Sequence, residues 1–296
     1  AVSLFSLGAG IRPETSRKKA GKESVSWPGN SVRLCRKESE KNWKREFHSK
    51  RFQVITSYAF GRDFYPPYSE PIGSSENLEG MERLVASLER GGMIRDNRAI
   101  QAMLSIDRKH YVESREPYED APAGIGFGQT ISAPHMHAAA LESLAHLLHP
   151  GARVLDVGSG SGYLAACFAA IVAPTGRVYG LERIQPLLER SIQNVQRDRP
   201  DLLESGVLHF VYGDGYDGLP QHGPYDAIHV GAAATGTVPE PLLHQLKNGG
   251  RLLIPIERKP HGQAFLQVDK DSRGGFTTTK LMDVVYVPLV PGMRQQ

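Results

Sequence analysis

Val154–Gly162 reads VLDVGSGSG. A short apolar strand, VLDV, runs into Gly158, Gly160 and Gly162, and Tyr163 to Ala173 then continues as a helix that ends before Pro174. Strand, glycine turn and helix in that order open an α/β unit whose backbone can approach a ligand closely. The spacing is G-x-G-x-G, not the G-x-G-x-x-G of dinucleotide binders, so nothing requires a pyrophosphate at the helix start.

The alternation repeats downstream. Arg177–Glu182 (RVYGLE) predicts a second strand and Gln185–Arg197 a second helix. LHFVYG (208–213), YDAIHVG (225–231) and RLLIPI (251–256) predict three more strands, with a helix at PEPLLHQL (239–246) carrying Pro241 in its first turn. Strands and helices alternating at these lengths give an α/β fold with a doubly wound, mostly parallel sheet. AFLQVDK (264–270) and LMDVVYVPLV (281–290), separated by a turn with Gly274-Gly275, predict a hairpin-like antiparallel finish.

Polar residues fall at the predicted strand ends. Glu182, followed by Arg183, ends the second strand, where a carboxylate can accept both hydroxyls of a ribose. Gly213-Asp214-Gly215 ends the third, where an Asp can bond an adenine amino group. Together with Asp156, Gly158, Ser159, Gly160 and Ser161 they outline a nucleoside-type cofactor site in the crevice at the strands' carboxyl edge. The other interpretation is a glycine turn kept for tight packing, with Asp156 orienting it and Glu182 merely solvated.

Upstream, Met81, Leu84, Val85 and Leu88 predict a helix ended by Gly91-Gly92, and Asn97–Ile106 a second. Glu113–Gly128 is expected to be a loop. A helix starting just after Pro134 carries Leu141, Leu144, Ala145 and Leu148 on one face. Between them lies GFGQTISAPHMHA (126–138). His135 and His137 are two apart with no further ligands near, so no metal is expected. His229 is expected to be a buried strand histidine.

Residues 1–75 differ in composition. They hold 14 Lys+Arg against 7 Asp+Glu, whereas residues 76–296 hold 21 against 25. The basic character therefore belongs to an N-terminal extension, expected to be disordered or partly ordered, with a weak helix at Glu38–Phe47 and both tryptophans, Trp27 and Trp43. The basic run Arg33–Arg51 is expected to be a solvated face, and the negative remainder argues against a nucleic-acid partner. The only cysteines, Cys35 and Cys167, suit a reducing compartment. No apolar run of about 18 residues exists to cross a membrane. The expected location is the cytoplasm; AVSLFSLGAGI at the start reads either as a cropped targeting segment or as a variable tail.

GFGQTISAPHMHA, with DRKHYV, ALESL, DVGSGSGYLAACFA, GDG, PYDAIHVGAAA, LKNGGRLLIPI and VVYVPL, resembles the protein-L-isoaspartate O-methyltransferases across Leu78–Val290. The resemblance implies a Rossmann-like class I methyltransferase with N-terminal helices over 76–296 that binds S-adenosyl-L-methionine and yields S-adenosyl-L-homocysteine. It implies methyl transfer to the α-carboxyl of L-isoaspartyl residues in damaged proteins and peptides, without a metal. A monomer is the default expectation, because a peptide in an open cleft needs no partner subunit. It places Gln129, Thr130, Ile131 and Ser132 at the methyl-transfer centre, with Ser132 as the catalytic orienting hydroxyl. His137 and Ser161 would contact the cofactor, and Val287 and Pro288 would hold substrate with Thr130, Ile131 and Ser132. The chain departs from the family at Gly128-Gln129, where many relatives have a Gln-Ala pair, at Glu182, where Asp is frequent, and at Val290, where Thr or Ser often sits. No Gly-x-Ser-x-Gly elbow surrounds Ser132, which speaks against a hydrolase. Two alternatives stand beside this one. One is a recognition adaptor keeping the cofactor fold, whose relatives carry long C-terminal extensions absent after Gln296. The other is a methyltransferase with another acceptor.

Overall fold

Strand residues here alternate between two buried faces, as a sheet covered on both sides requires. In the computed structural model Val154, Val178, Leu208, Ala227 and Leu253 face one apolar layer, and their neighbours Leu155, Leu181, Ile228, Leu252 and Ile254 face the other. The structure describes residues 80–258 and 262–291, and the two-residue strands Ser26–Trp27 (β1) and Asn30–Ser31 (β2), which pair antiparallel. The expected helix at Glu38–Phe47, Trp43, Cys35, the boundary near Ser75 and the rest of the N-terminal extension lie outside the described residues.

The main body begins with helices α1 (Met81–Arg90), α2 (Asn97–Ser105) and α3 (Pro134–Leu144). Asp96 caps α2 by accepting from the amides of Arg98 and Ala99. Between α2 and α3 a small hairpin, β3 (Ala123–Gly126) and β4 (Gln129–Ile131), occupies part of the segment expected to be loop. The αβ alternation then follows as β5 (Arg153–Val157), α4 (Tyr163–Val172), β6 (Arg177–Glu182), α5 (Gln185–Asp198), α6 (Pro200–Glu204), β7 (Leu208–Tyr212) and β8 (Tyr225–Val230). The chain finishes through β9 (Ala234–Thr235), α7 (Glu240–His244), β10 (Leu246–Glu257), β11 (Gln263–Lys270) and β12 (Phe276–Val284).

The main sheet runs β12-β11-β10-β8-β5-β6-β7, with β9 paired to β10. From β10 to β7 every pairing is parallel, and β11 and β12 join antiparallel. Two boundaries differ from the periodicity. β10 starts at Leu246, ahead of RLLIPI, because a register shift between Leu246 and Arg251 absorbs the polar Lys247–Gly250 stretch. VVYVPLV does not continue the hairpin. β12 ends at Val284, and the chain crosses back to form a parallel bridge between Pro288 and Ala233. That return brings the C-terminal segment to the carboxyl edge of the parallel strands.

The first apolar layer gathers α1 to α6 around Phe168, Leu141, Leu144 and Met103, all completely buried. Each such side chain contributes about 1.5–3 kcal/mol relative to exposure. The second holds Leu242 of α7 beneath Leu155, Ile228 and Leu252.

Candidate active site

The carboxyl ends of β5, β6, β7 and β8 converge on a cleft of about 660 Å3, measured to its open mouth. Gly158 and Gly160 from the β5 turn, Glu182, Arg183 and Ile184 from β6, Gly213 and Gly215 from β7, and Gly231 and Ala232 from β8 line its walls. Gln129 and Thr130 of the hairpin close one side, and Val287, Pro288, Leu289 and Val290 of the returning C-terminal segment close another.

The turn is held rigidly. The amides of Gly158 and Ser159 both donate to the Leu181 carbonyl, at 2.8 and 3.2 Å, and the Gly162 amide donates to the Ser159 carbonyl at 2.8 Å. Gly162 needs its lack of a side chain. Its φ is +86°, and a Cβ there would lie 2.9 Å from the Phe210 ring. Glu182, 5% exposed, completes the frame. Its Oε2 accepts from the Gly160 amide at 3.1 Å, and its Oε1 from the amides of Arg183 and Ile184 at 2.9 and 3.0 Å. Burial raises its carboxyl above the usual range, and the three amides, which favour the ionised form, offset only part of that.

The expected cofactor residues therefore divide into two shells. Gln129, Thr130, Gly158, Gly160, Glu182, Arg183 and Gly215 line the cleft, as do Val287 and Pro288 on the substrate side. Ile131, Ser132, His137, Asp156, Ser159, Ser161 and Asp214 are not part of that lining. Ile131 is buried. Ser161 receives the Asn194 amide on its carbonyl at 3.0 Å, and its hydroxyl accepts from the Tyr163 amide. Ser159 is buried with its hydroxyl unpartnered. Asp214 accepts from the Tyr216 amide at 2.9 Å, which fixes the turn after β7. Asp156 lies beneath the turn with Oδ1 2.8 Å from His229 Nδ1. An ionised carboxylate only accepts, so that imidazole carries its proton on Nδ1. His229 thus acts as a strut tying β8 to β5. His135 pairs with Asp120 at 2.9 Å, and among the described residues no three His, Cys, Asp or Glu side chains gather as a metal site.

His137 sits in the first turn of α3, buried, with its ring 5.0 Å from that of Tyr163 and Nδ1 unpartnered. Burial, and then the positive charge of Arg108, push its basicity well below the ordinary 6.5, so it is neutral. The unfolded chain takes up a proton that the folded imidazole refuses, so stability falls as pH drops below 6.5. The slope is at most about 1.4 kcal/mol per pH unit for one proton. Urea midpoints at pH 7 and pH 5 are expected to diverge less for His137→Gln than for the unmodified chain; equal divergence would place the titration elsewhere.

Two further residues, Arg108 of DRKHYV and Tyr286 of VVYVPL, are not among the expected site residues. Arg108, 1% exposed, donates through Nη2 to the carbonyls of Ser132 at 3.0 Å and Ala121 at 3.3 Å, stitching the two ends of the hairpin together. Tyr286 is held through its main chain, its amide donating to Gln263 Oε1 at 2.6 Å and its carbonyl accepting from Gln263 Nε2 at 3.0 Å. The resemblance covers both segments without singling out either residue, and no local periodicity marks Arg108 as buried.

The whole of this framework falls within residues 79–294, which match the family model for protein-L-isoaspartate(D-aspartate) O-methyltransferase. A Triticum aestivum protein-L-isoaspartate O-methyltransferase is 46% identical over 215 residues, covering 72% of this chain and 92% of the relative. The Caenorhabditis elegans protein of the same description is 45% identical over 207 residues, covering 70% and 90%. A solved Plasmodium falciparum structure, described as a protein-L-isoaspartate O-methyltransferase in complex with S-adenosyl-L-homocysteine, is 38% identical with a TM-score of 0.66. It covers 72% of this chain and 99% of its own.

Proposed function

This chain belongs to the protein-L-isoaspartate(D-aspartate) O-methyltransferase family, and from that premise we infer that it methylates the α-carboxyl of L-isoaspartyl residues in damaged proteins and peptides, using S-adenosyl-L-methionine. The observation that carries the inference is the cleft itself, a crevice at the strand ends with Glu182 and the glycine turn in its wall, closed by the Gln129-Thr130 hairpin and the Val287–Val290 segment. S-adenosyl-L-methionine, when bound, supplies an electrophilic methyl on a sulfonium. The donor set fits such a group. Glu182 offers remaining lone pairs for ribose hydroxyls, the glycine turn allows close backbone approach, and the buried His137, kept neutral, adds no second positive charge.

An isoaspartyl α-carboxylate is already ionised at neutral pH. No base is needed, and the residues' task is alignment and exclusion of water. One carboxylate oxygen forms the new O–CH3 bond as the S–CH3 bond breaks and its electron pair stays on sulfur, so no proton moves. Ser132 orients the carboxylate and is not consumed. Thr130, Ile131, Val287 and Pro288 flank it, and the exposed Phe127 and Val285, beside these two segments, offer apolar contacts to an extended peptide. The resulting methyl ester closes to a succinimide that hydrolyses partly to normal aspartate.

The catalytic unit in this account is 76–296, with 1–75 as an extension; the family match over 79–294 supports that boundary. A monomer acting in the cytoplasm, without a nucleic-acid partner, is the accompanying expectation. The net negative charge of residues 76–296 speaks against the nucleic-acid partner. No helix among the described residues is long and apolar enough to cross a membrane.

The test is a pair of peptides differing only in Asp or isoAsp at one position, incubated with methyl-labelled S-adenosyl-L-methionine. Label is expected in the isoAsp peptide alone, by at least about 100-fold, because an Asp side chain presents its carboxylate one methylene away from the aligned position. Equal labelling of both would favour another acceptor, and none in either, with cofactor bound, an adaptor.

A further inference from the structure

We propose that Gln263 is a positioning residue: its side-chain amide extends the β11–β12 ladder past its last backbone pair and so fixes Val287 and Pro288 in the cleft wall along which the acceptor carboxylate aligns. The proposal rests on the methyl-transfer reading above and adds to it the group that sets this wall.

The ladder ends where Gln263, the first residue of β11, pairs with Val284, the last of β12. Val285 then turns out to solvent, 95% exposed, and the chain comes back at Tyr286. β11 has no backbone rung left to offer it, and the Gln263 side chain supplies one. Its Oε1 accepts from the Tyr286 amide at 2.6 Å, and its Nε2 donates to the Tyr286 carbonyl at 3.0 Å. A primary amide offers the same donor and acceptor as a peptide group, so one side chain satisfies both main-chain groups of Tyr286. Phe265 lies two residues along and therefore on the same face of β11. Its ring is nearly parallel to that of Tyr286, with 6.1 Å between centroids and 12° between planes.

The residues that follow line the cleft. Ala233, next to the lining residue Ala232, donates its amide to the Val287 carbonyl at 2.8 Å and accepts from the Leu289 amide at 2.7 Å. Val287 and Pro288 are thus suspended between two anchors, Gln263 beside β12 and Ala233 after β8. Ala233 holds through its backbone, which no substitution removes. Gln263 holds through a side chain, which a substitution does remove. An ionised carboxylate in its place keeps an acceptor for the Tyr286 amide but sets a second acceptor against the Tyr286 carbonyl. A protonated carboxyl regains an O–H donor and again matches both groups.

Gln263→Ala is expected to lower kcat/KM for the isoAsp peptide about tenfold. A misplacement of about 1 Å costs about 100-fold, and the Ala233 anchor keeps the displacement smaller. Affinity for S-adenosyl-L-homocysteine, read by calorimetry, should stay within about threefold, since Glu182 and the glycine turn are untouched. The thermal midpoint should fall by no more than a few degrees. The deciding variant is Gln263→Glu. At pH 8 its deficit should equal or exceed that of the alanine variant. The introduced carboxyl is half-buried and faces a carbonyl, which favours its neutral form. At pH 5, with cofactor saturating, its deficit relative to the unmodified enzyme at the same pH should therefore shrink at least about twofold, while that of Gln263→Ala stays constant. Groups common to both chains cancel in that ratio, including Tyr286 and Arg258, whose amide donates to the Gly262 carbonyl. Full activity in either variant at pH 8, a Gln263→Glu deficit that is the same at pH 5 and pH 8, or a matching tenfold loss of S-adenosyl-L-homocysteine affinity would each overturn the proposal while leaving the methyltransferase reading intact. Failure of the unmodified chain to methylate any isoAsp peptide would overturn both.

Discussion

Ser132→Ala is expected to lower kcat/KM for an isoAsp peptide by about 100-fold, comparable to removing one preorganised donor from an active site. The hydroxyl sits just past β4, on a main chain pinned by Arg108. Its removal leaves the cleft lining untouched, since the side chains and turns along the strand ends do not include it. The carboxylate then loses its oriented donor and samples poses in which its oxygen is out of line with the sulfonium, and a misplacement of about 1 Å already costs about 100-fold. S-adenosyl-L-homocysteine affinity should remain within about twofold, because the variant removes an interaction realised with the acceptor and not with the cofactor. An alanine variant with unchanged turnover would remove Ser132 from the mechanism. A variant that binds S-adenosyl-L-homocysteine poorly would move it into the cofactor site.

Glu182→Ala should have the largest effect on cofactor binding, weakening S-adenosyl-L-homocysteine by at least about 100-fold, as expected when hydrogen bonds to a charged acceptor at 1.5–3 kcal/mol each are lost. The variant strips the ribose-facing carboxylate and orphans three amides, those of Gly160, Arg183 and Ile184. Leaving buried donors unmade costs roughly 1–3 kcal/mol, so the thermal midpoint should fall as well. Glu182→Asp keeps the charge but shortens the reach to Gly160 and should lie between the two. Because burial raises this carboxyl above the ordinary value of 4.5, affinity in the unmodified protein should begin to fade on acidification earlier than a solvent-exposed glutamate would dictate. Calorimetric titration with S-adenosyl-L-homocysteine across pH measures both. An affinity for the alanine variant within a few-fold of normal would show that Glu182 braces the turn without contacting the ligand.

The parallel core was legible in local patterns. RVYGLE is β6 residue for residue, and VLDV falls within β5, because a doubly covered sheet demands short apolar runs and punctuating turns mark their ends. The β3–β4 hairpin was not legible. Its strands, AGIG and QTI, are three to four residues long and half glycine in the first, too short and too poor in β-branched residues to show a period. The early start of β10 was hidden for a related reason, since Lys247–Gly250 is polar and enters the ladder only through a register shift. At the site, the glycine turn, Glu182 and the segment after β7 announced themselves by residue type at strand ends. Asp156 looked the same in sequence, yet its carboxylate is spent on His229.

What the sequence determined by itself is whatever repeats over a few residues: the order of strands and helices, the turn that only glycine can make, and the acidic residue that ends β6. Only the tertiary structure decided which distant groups meet. Arg108 reaches the carbonyl of Ser132, and Gln263 grips the main chain of Tyr286. The physical reason is that periodicity records which face of an element is apolar, whereas a buried polar group is placed by the partner that satisfies it. For Arg108, Ser132 and Tyr286 those partners are brought within reach by the packing of the hairpin and the returning C-terminal segment, and by nothing in their own neighbourhoods.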